Sequence, residues 1–255
     1  MTIRIGIAGW AIRREQADLF KPGPSHLARY ATRFNAVEIN SSFYRPHRRT
    51  TYERWAASVP NGFRFSVKIP KLITHELKLR DIDAPLKRFF GEVSGLGQKL
   101  GAILIQLPPS LAFDQEIAAD FLSSTRTLFD VLLAIEPRHS SWFTAQAAET
   151  LSQSKIERVT ADPPPCPGAP FWDDAPETRY FRLHGAPRIY YSDYPEDVLA
   201  AVTRILTISE TDHPNWCIFD NTAVGRATAN ALNLRRLVVI SESCSSRRST
   251  PADRQ

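Results

Sequence analysis

Residues 102–107 have the sequence AILIQL, a short apolar run with little alternation between apolar and polar side chains. Such a run is typical of a parallel strand that is covered on both faces. Residues 84–96 before it and residues 114–122 after it place apolar side chains at helical spacing. Asp114 stands where it can cap the second of these helices. The region therefore predicts a helix–strand–helix unit of a parallel α/β fold.

Seven further runs of this kind are distributed along the chain. They are residues 3–8 (IRIGIA), 36–39 (AVEI), 63–69 (FRFSVKI), 131–135 (VLLAI), 156–161 (IERVTA), 180–183 (YFRL) and 216–219 (WCIF). Predicted helices lie between most of them, at residues 25–34, 143–151 and 196–208, and a last one follows at residues 221–234. Eight strands in a chain of 255 residues favour a single (β/α)₈ TIM-type barrel. A dinucleotide-binding G-x-G-x-x-G motif does not follow the first strand.

The sixth unit departs from this pattern. Residues 162–176 (DPPPCPGAPFWDDAP) are rich in proline, which a helix interior excludes, so we expect a long loop after strand six. Residues 241–255 (SESCSSRRSTPADRQ) are polar and aperiodic, and we expect a disordered tail there. The predicted organisation is one barrel domain over residues 1–240 followed by that tail.

The composition narrows the classes of function. Hydrophobic residues make up 43% and charged residues 23% of the chain, as in globular proteins. A net charge of +5 suits an anionic ligand or nucleic acid without distinguishing them. Cys166, Cys217 and Cys244 form no C-x-x-C pair, which argues against a disulfide framework or a zinc knuckle. We expect a cytoplasmic protein without membrane contact, because no secretory signal or membrane-span pattern is present. Nothing in the sequence specifies an oligomeric state.

Charged and titratable side chains mark the carboxyl ends of most predicted strands. They are Glu38, Lys68, Glu136, Arg138, His139, Asp162, Arg182, His184 and Asp220. A barrel of this type builds its active site at these strand ends. Because an isolated buried charge is costly, the charges within strands need partners. We therefore expect one ionic network that lines the mouth of the barrel.

The residue types in this network suggest their roles. Glu136, His184 and His139 are the candidate acid–base residues, since imidazole changes charge near neutral pH. Lys68, Arg138 and Arg182 supply positive charge for a phosphate or carboxylate group. The other candidate substrate-binding residues are amides, rings and one more histidine: Asn40, Tyr44, His75, Gln106, Trp142 and Asn221.

A metal site is an alternative at the same strand ends. Its ligands would be Glu38, Glu136, Asp162, His184 and Asp220. The sequence contains no H-x-H or H-E-x-x-H spacing, and the neighbouring arginines and lysine would repel a divalent ion. We predict no cofactor, and a divalent metal on those five residues is the alternative.

Six blocks resemble the YecE-like domain family of unknown function. They are residues 38–46 (EINSSFYRP), 63–75 (FRFSVKIPKLITH), 106–109 (QLPP), 136–143 (EPRHSSWF), 180–185 (YFRLHG) and 219–232 (FDNTAVGRATANAL). The match extends over about residues 3–238 and implies a TIM-barrel fold, with a likeness to metal-dependent DNA-repair endonuclease barrels. Pro137 stands where an aromatic residue is more usual, and Asp220 where asparagine is also common. Neither departure removes a candidate acid, base or cation.

Three functions follow from these observations. The first is a hydrolase or lyase that acts by acid–base chemistry on an anionic, phosphate- or carboxylate-bearing substrate. The second is a nucleic-acid-binding protein or phosphodiesterase similar to endonuclease-type barrels. The third is a non-catalytic scaffold that binds a small anion. We favour a small anionic ligand over nucleic acid, because the positive charge lies beside carboxylates at the predicted mouth.

Overall fold

The computed structural model describes residues 2–171, 179–208 and 214–248 of the chain. Its strands are β1 (Ile3–Ile7), β2 (Ala36–Ile39), β3 (Arg64–Lys68), β4 (Leu100–Gln106), β5 (Leu132–Glu136), β6 (Glu157–Arg158), β7 (Thr160–Asp162), β8 (Tyr180–Leu183) and β9 (Asn215–Phe219). Its α-helices are α1 (His26–Tyr30), α2 (Ser41–Tyr44), α3 (Arg49–Ala57), α4 (Asp83–Val93), α5 (Gln115–Leu128), α6 (Ala145–Gln153), α7 (Glu196–Ile208) and α8 (Arg226–Arg248). Short 3₁₀ segments lie at Arg14–Leu19, Ser94–Lys99 and Ser140–Phe143, and a π-helical turn at Leu72–Glu76.

The strands form two parallel sheets. One sheet has the order β2–β3–β4–β5–β6 and the other has the order β1–β9–β8–β7. Every paired register between these strands is parallel. The predicted α/β class is therefore confirmed. The described strands do not form the one closed eight-stranded sheet that the sequence predicts.

The two sheets adjoin at two places, one joined by single backbone contacts and the other crossed by the chain itself. A lone bridge joins Ala8 to Glu38, and the N–H of Gly9 donates to the Glu38 carbonyl at 2.9 Å. At the other junction the predicted sixth strand is divided: β6 pairs with β5, and β7 pairs with β8. Between them the N–H of Val159 donates to the Ile135 carbonyl at 2.8 Å. One predicted strand thus serves both sheets.

Both faces of β4 are buried in apolar clusters. Ile103 and Ile105 belong to the large cluster that includes the apolar side chains of α4 and α5. Ala102 and Leu104, on the opposite face, belong to a smaller cluster with Trp216. This two-sided burial explains why residues 102–107 show no alternation of polarity.

Several helices differ from their predicted bounds. Asp114 caps α5 as predicted, because its side chain accepts a hydrogen bond from the N–H of Ile117. Helices α2 and α3 are not among the predicted helices. The last helix begins at Arg226 and continues to Arg248, since no glycine or proline interrupts that stretch. Residues 241–248 are therefore helical rather than disordered, and residues 249–255 lie outside the described residues.

The proline-rich segment follows its prediction where it is described. Residues 163–171 contain neither helix nor strand, and residues 172–178 lie outside the described residues.

Among the described helices, none has the length and apolar character needed to cross a membrane.

Gly6 of β1 lies close to the backbone of β2, so a substitution at Gly6 tests this contact between the two sheets. A Cβ atom on Gly6 would lie 2.4 Å from the carbonyl oxygen of Ala36, a backbone atom that cannot move aside. We expect Gly6→Ala to lower the free energy of unfolding by about 1–3 kcal/mol, measured by urea denaturation. Gly62→Ala is the control, because no described atom lies within 4 Å of its Cβ position. That variant should be neutral or stabilised by up to about 1 kcal/mol, and equal losses would contradict the close approach.

Candidate functional site

An arginine of β8 is the centre of a buried ionic cluster at the carboxyl ends of the strands. Arg182 is fully buried. Its Nη2 donates to Oε1 of Glu38 at 2.8 Å and to Oδ2 of Asp220 at 3.0 Å. Its Nε donates to Oε2 of Glu38 at 3.1 Å, and its Nη1 donates to Oε2 of Glu136. The guanidinium therefore binds three carboxylates that come from both sheets.

Glu136, at the end of β5, is the second residue of the cluster that binds several partners. Its Oε1 accepts hydrogen bonds from Nε2 of Gln106 at 2.8 Å and from Nε and Nη2 of Arg138 at 3.1 and 2.9 Å. Burial raises the pKa of Glu136, but the charges of Arg182, His184 and Arg138 outweigh it and hold the pKa well below its usual range. The carboxylate therefore stays ionised at neutral pH, where it is a poor proton donor.

His184 lies between two carboxylates. Its Nδ1 is 3.1 Å from Oδ2 of Asp220, and its Nε2 is 3.6 Å from Oε1 of Glu136. Burial lowers the pKa of His184, but the charge of Glu136 and the hydrogen bond to Asp220 outweigh it and raise the pKa. The imidazolium form is therefore favoured, and it is the proton donor that this geometry supports.

Lys68 brings a fourth positive charge from the end of β3. The residue is 6% exposed, and its Nζ lies 4.1 Å from the centre of the Phe43 ring. Within the described ranges, no side chain or carbonyl holds this nitrogen by a hydrogen bond or an ion pair. Burial and the charge of Arg182 lower the pKa of Lys68 to about 8, against the attraction of the carboxylates. The neutral amine is therefore far more accessible at neutral pH than that of an exposed lysine.

Three other residues lie beside the buried part of the cluster. The Arg138 side chain is 27% exposed. Burial, followed by the charges of Lys68 and Arg138, lowers the pKa of His75, so these three side chains lie within electrostatic range. The ring of Tyr190 packs edge-on against His184 with the ring centres 6.0 Å apart. The cluster thus reaches solvent at Arg138.

Three predicted site residues support the fold instead. His139 caps the 3₁₀ segment Ser140–Phe143, and its Nδ1 accepts from the N–H of Ser141 at 3.2 Å. The Trp142 indole is buried and donates to the Leu111 carbonyl at 3.0 Å. Asn221 is buried and donates from Nδ2 to the loop between β8 and α7 and to a side chain of α8. These contacts use Nδ1 of His139, the Trp142 indole N–H and Nδ2 of Asn221, whereas Oδ1 of Asn221 is buried and has no hydrogen-bond partner among the described residues. Their predicted roles in binding substrate stay predictions.

Tyr44 and Asn40 lie at the margin of the cluster. Tyr44 is 78% exposed and borders a cavity of about 300 Å³ between α2, the π-helical turn and α4. None of the cluster's charged residues lines that cavity. The Oδ1 atom of Asn40 is buried and has no hydrogen-bond partner among the described residues.

The donor set does not fit a divalent metal. Arg182 binds three of the five predicted ligands and stands between them, where a metal ion would need their oxygens. Asp162 instead accepts a hydrogen bond from a tyrosine hydroxyl of the segment before α7, at 2.7 Å. Across the part of the chain that the structure describes, no group of three His, Cys, Asp or Glu side chains is arranged to hold a metal ion.

Sequence reasoning missed Tyr180 as a member of the cluster. Its hydroxyl lies 3.0 Å from Oε2 of Glu38 and 2.7 Å from Oγ of Ser66. Tyr180, Arg182 and His184 alternate along one strand and therefore point to the same face of the sheet. This alternation was the signal that could have identified Tyr180.

Replacing Arg182 should destabilise the protein strongly. Arg182→Met keeps much of the volume but leaves three buried carboxylates without their shared cation. We expect the free energy of unfolding to fall by about 3–5 kcal/mol in urea denaturation. Arg236→Met is the matched control, because Arg236 forms an exposed ion pair with Glu196 at 2.7 Å. That change should cost about 1 kcal/mol or less, and similar losses for both would contradict the central role of Arg182.

The raised pKa of His184 predicts a pH-dependent contribution to stability. The imidazolium pairing is fully present below the unfolded pKa of about 6.5 and is lost as the pH rises through the folded pKa. The stability difference between the natural protein and His184→Gln should therefore be largest below about pH 6.5 and shrink as the pH rises above it, measured by urea denaturation. His26→Gln, at an exposed position in α1, is the control. A difference that grows with pH would contradict the pairing.

Comparison with known proteins gives the family of the chain. The family model described as "Protein of unknown function DUF72" matches residues 4–255. The UPF0759 protein YecE of Escherichia coli strain K12 is 29% identical over 170 residues, which cover 64% of this chain and 60% of that protein. The UPF0759 protein YunF of Bacillus subtilis strain 168 is 28% identical over 165 residues, covering 61% and 57%. The chain thus matches about three-fifths of the length of these curated relatives.

Solved structures share the fold. A crystal structure of a DUF72 family protein from Thermotoga maritima MSB8 has a TM-score of 0.77 at 23% identity, covering 94% of this chain and all of that chain. One from Enterococcus faecalis V583 has a TM-score of 0.76 at 22% identity, covering 93% and 96%. A xylose isomerase-like TIM barrel/4-hydroxyphenylpyruvate dioxygenase fusion protein has a TM-score of 0.59 at 13% identity, covering 99% and 45%. The resemblance to the YecE-like family is confirmed, and the chain belongs to the DUF72 family of proteins of unknown function.

Proposed function

We propose that the protein is an enzyme that binds a small anionic substrate, with a phosphate or carboxylate group, beside the Arg182 cluster. Two cations of that cluster that its carboxylates do not use up carry the proposal. Arg138 keeps N–H groups free beside Glu136 and is partly exposed, and Nζ of Lys68 has no hydrogen bond or ion pair among the described residues. Burial lowers the local dielectric and strengthens the attraction of these cations for an anion.

Arg138 is the residue best placed to contact the anion. Four of the five N–H groups of Arg182 point to carboxylates, and the guanidinium is fully buried, so Arg182 offers no donor to a ligand. Arg138 uses only Nε and Nη2 toward Glu136 and is partly exposed. Its remaining N–H groups can bind phosphate or carboxylate oxygens. Arg182 is therefore a positioning residue, and Lys68 adds charge beside the ligand.

His184 is the proposed acid. Glu136 has both oxygens occupied and a lowered pKa, so it orients its neighbours rather than transferring a proton. The imidazolium of His184 is held by Asp220 and can protonate a leaving group. Hydrolysis and elimination both need such a proton, which supports a hydrolase or lyase. No metal ion is part of this proposal, because Arg182 occupies the position between the carboxylates.

The enclosure of the cations favours a small ligand over nucleic acid. Arg182 is fully buried and Lys68 is nearly so, whereas binding to a nucleic-acid backbone uses exposed cations along a surface. We also infer that the two sheets are the two halves of one barrel. The bridging contacts at Gly9 and Val159 and the TIM-barrel neighbour support this inference.

Calorimetric titration with inorganic phosphate and with small mono- and dicarboxylates tests the site. Arg138→Gln should weaken binding of the preferred anion by about tenfold or more, since it removes hydrogen bonds between charged groups. Arg236→Gln is the control and should bind as the natural protein does. If the natural protein binds none of these anions, or if Arg138→Gln binds them equally well, the proposal is wrong.

A panel of phosphate esters, sugar phosphates and hydroxy or oxo acids then tests the chemistry. On any substrate that is turned over, His184→Gln should lower kcat by about 10²–10⁴-fold with little change in KM, as expected for loss of a general acid. Glu136→Gln should also lower the free energy of unfolding, because the charge of Glu136 balances that of Arg182. Unchanged kcat in His184→Gln would exclude His184 as the acid.

A further inference from the structure

Lys68 differs from the other cations of the cluster in how its nitrogen is held. The neighbouring carboxylates are already occupied: Glu38 by Arg182 and a tyrosine hydroxyl, Glu136 by two arginines and an amide, and Asp220 by Arg182 and His184. The nitrogen therefore has charges nearby but no hydrogen-bond acceptor among the described residues. An amine in this position is available to a ligand.

The surroundings of Lys68 also make its neutral form easier to reach than that of an exposed lysine. The residue is nearly buried and no carboxylate pairs directly with its Nζ, although the Phe43 ring beneath the nitrogen offsets part of the cost of burying its charge. Burial and a neighbouring guanidinium are the two conditions that convert lysine into a nucleophile at neutral pH. Five charged or titratable groups interact electrostatically with this amine. They are Glu38, His75, Glu136, Arg182 and Asp220.

We propose that Lys68 is a nucleophile that adds to a carbonyl carbon of the bound anion and forms a Schiff base with it. The inference rests on the proposed anion site, in which Arg138 holds the charged group while Lys68 meets the carbonyl group. It narrows the substrate to an anionic aldehyde or ketone, such as a 2-oxo acid or a sugar phosphate in its open carbonyl form. Lyase chemistry follows, because a protonated imine accepts the electron pair of a bond broken next to it.

The reaction is balanced without a further reactant. The nitrogen lone pair of the neutral amine forms the new C–N bond, and the carbonyl π pair moves to oxygen, which takes a proton. Nitrogen then loses one proton, and the protonated hydroxyl leaves as water. The product is a protonated imine between Lys68 and the ligand. His184 is the protonated acid of the cluster that can supply the proton to the departing oxygen.

Pyridoxal 5′-phosphate is the probe, because it combines an aldehyde with a phosphate group. The full-length protein is incubated with a limiting amount near neutral pH, reduced with borohydride, digested and mapped by mass spectrometry. We expect Lys68 to be labelled more than tenfold faster than Lys71, a nearby lysine that pairs with Glu76 at 3.6 Å and is about half exposed. Labelling of Lys68 should rise with pH to a midpoint near the pKa of about 8.

Two variants complete the experiment. Lys68→Arg keeps the positive charge but should lose the label at this position, whereas the control Lys71→Arg should leave the labelling of Lys68 unchanged. Inorganic phosphate in excess should protect Lys68 from the probe. Labelling of Lys68 at the rate of Lys71, or labelling that rises only near the usual lysine pKa of 10.5, would overturn the assignment.

The outcomes separate this inference from the proposed function. If the probe binds reversibly, is displaced by phosphate and is weakened by Arg138→Gln, but Lys68 is not reduced, the anion site stands and the nucleophile is wrong. If phosphate neither binds nor protects while Lys68 is labelled fastest, the reactive amine stands and the anion site is wrong. Slow labelling of Lys68 together with no binding of phosphate overturns both the anion site and the nucleophile.

Discussion

The guanidinium of Arg182 is the constraint on which the rest of the site depends. Three carboxylates reach it from β2, from β5 and from the residue after β9, and each would be costly to bury alone. Because those elements belong to different sheets, one side chain fixes the relative position of both sheets at their carboxyl ends. A positive charge at this point takes the place that a metal ion occupies in many carboxylate clusters.

The same network also shifts the pKa values of the titrating groups, and in different directions. Arg182 and Arg138 keep Glu136 ionised, and the ionised Glu136 in turn raises the pKa of His184. The same guanidinium lowers the pKa of Lys68. The same set of charges thereby raises the pKa of one buried base and lowers that of another. Shifted pKa values of this kind are typical of catalytic sites.

Much of the site could be predicted from the sequence, because parallel strands bring their carboxyl ends to one edge. Glu136, Arg182 and His184 follow this rule, and the structure places them in contact. The contacts of His139 and Trp142 could not be predicted in the same way. His139 caps the 3₁₀ segment after β5 and Trp142 lies within it, and proximity along the chain does not reveal that Nδ1 of the one and the indole N–H of the other bond to the backbone. The division of the sixth strand depends on which neighbours it pairs with, which no local pattern encodes.

The interruption at Val159 has a consequence for how the two sheets are joined. One residue separates β6 from β7, so the chain itself links the sheets there, whereas at Gly9 they are linked by one bridge and one backbone hydrogen bond. The contacts of Arg182 with Glu38 and Glu136 add side-chain links between the same two sheets. A change of charge at the carboxyl ends of the strands therefore acts directly on the links that hold one sheet to the other.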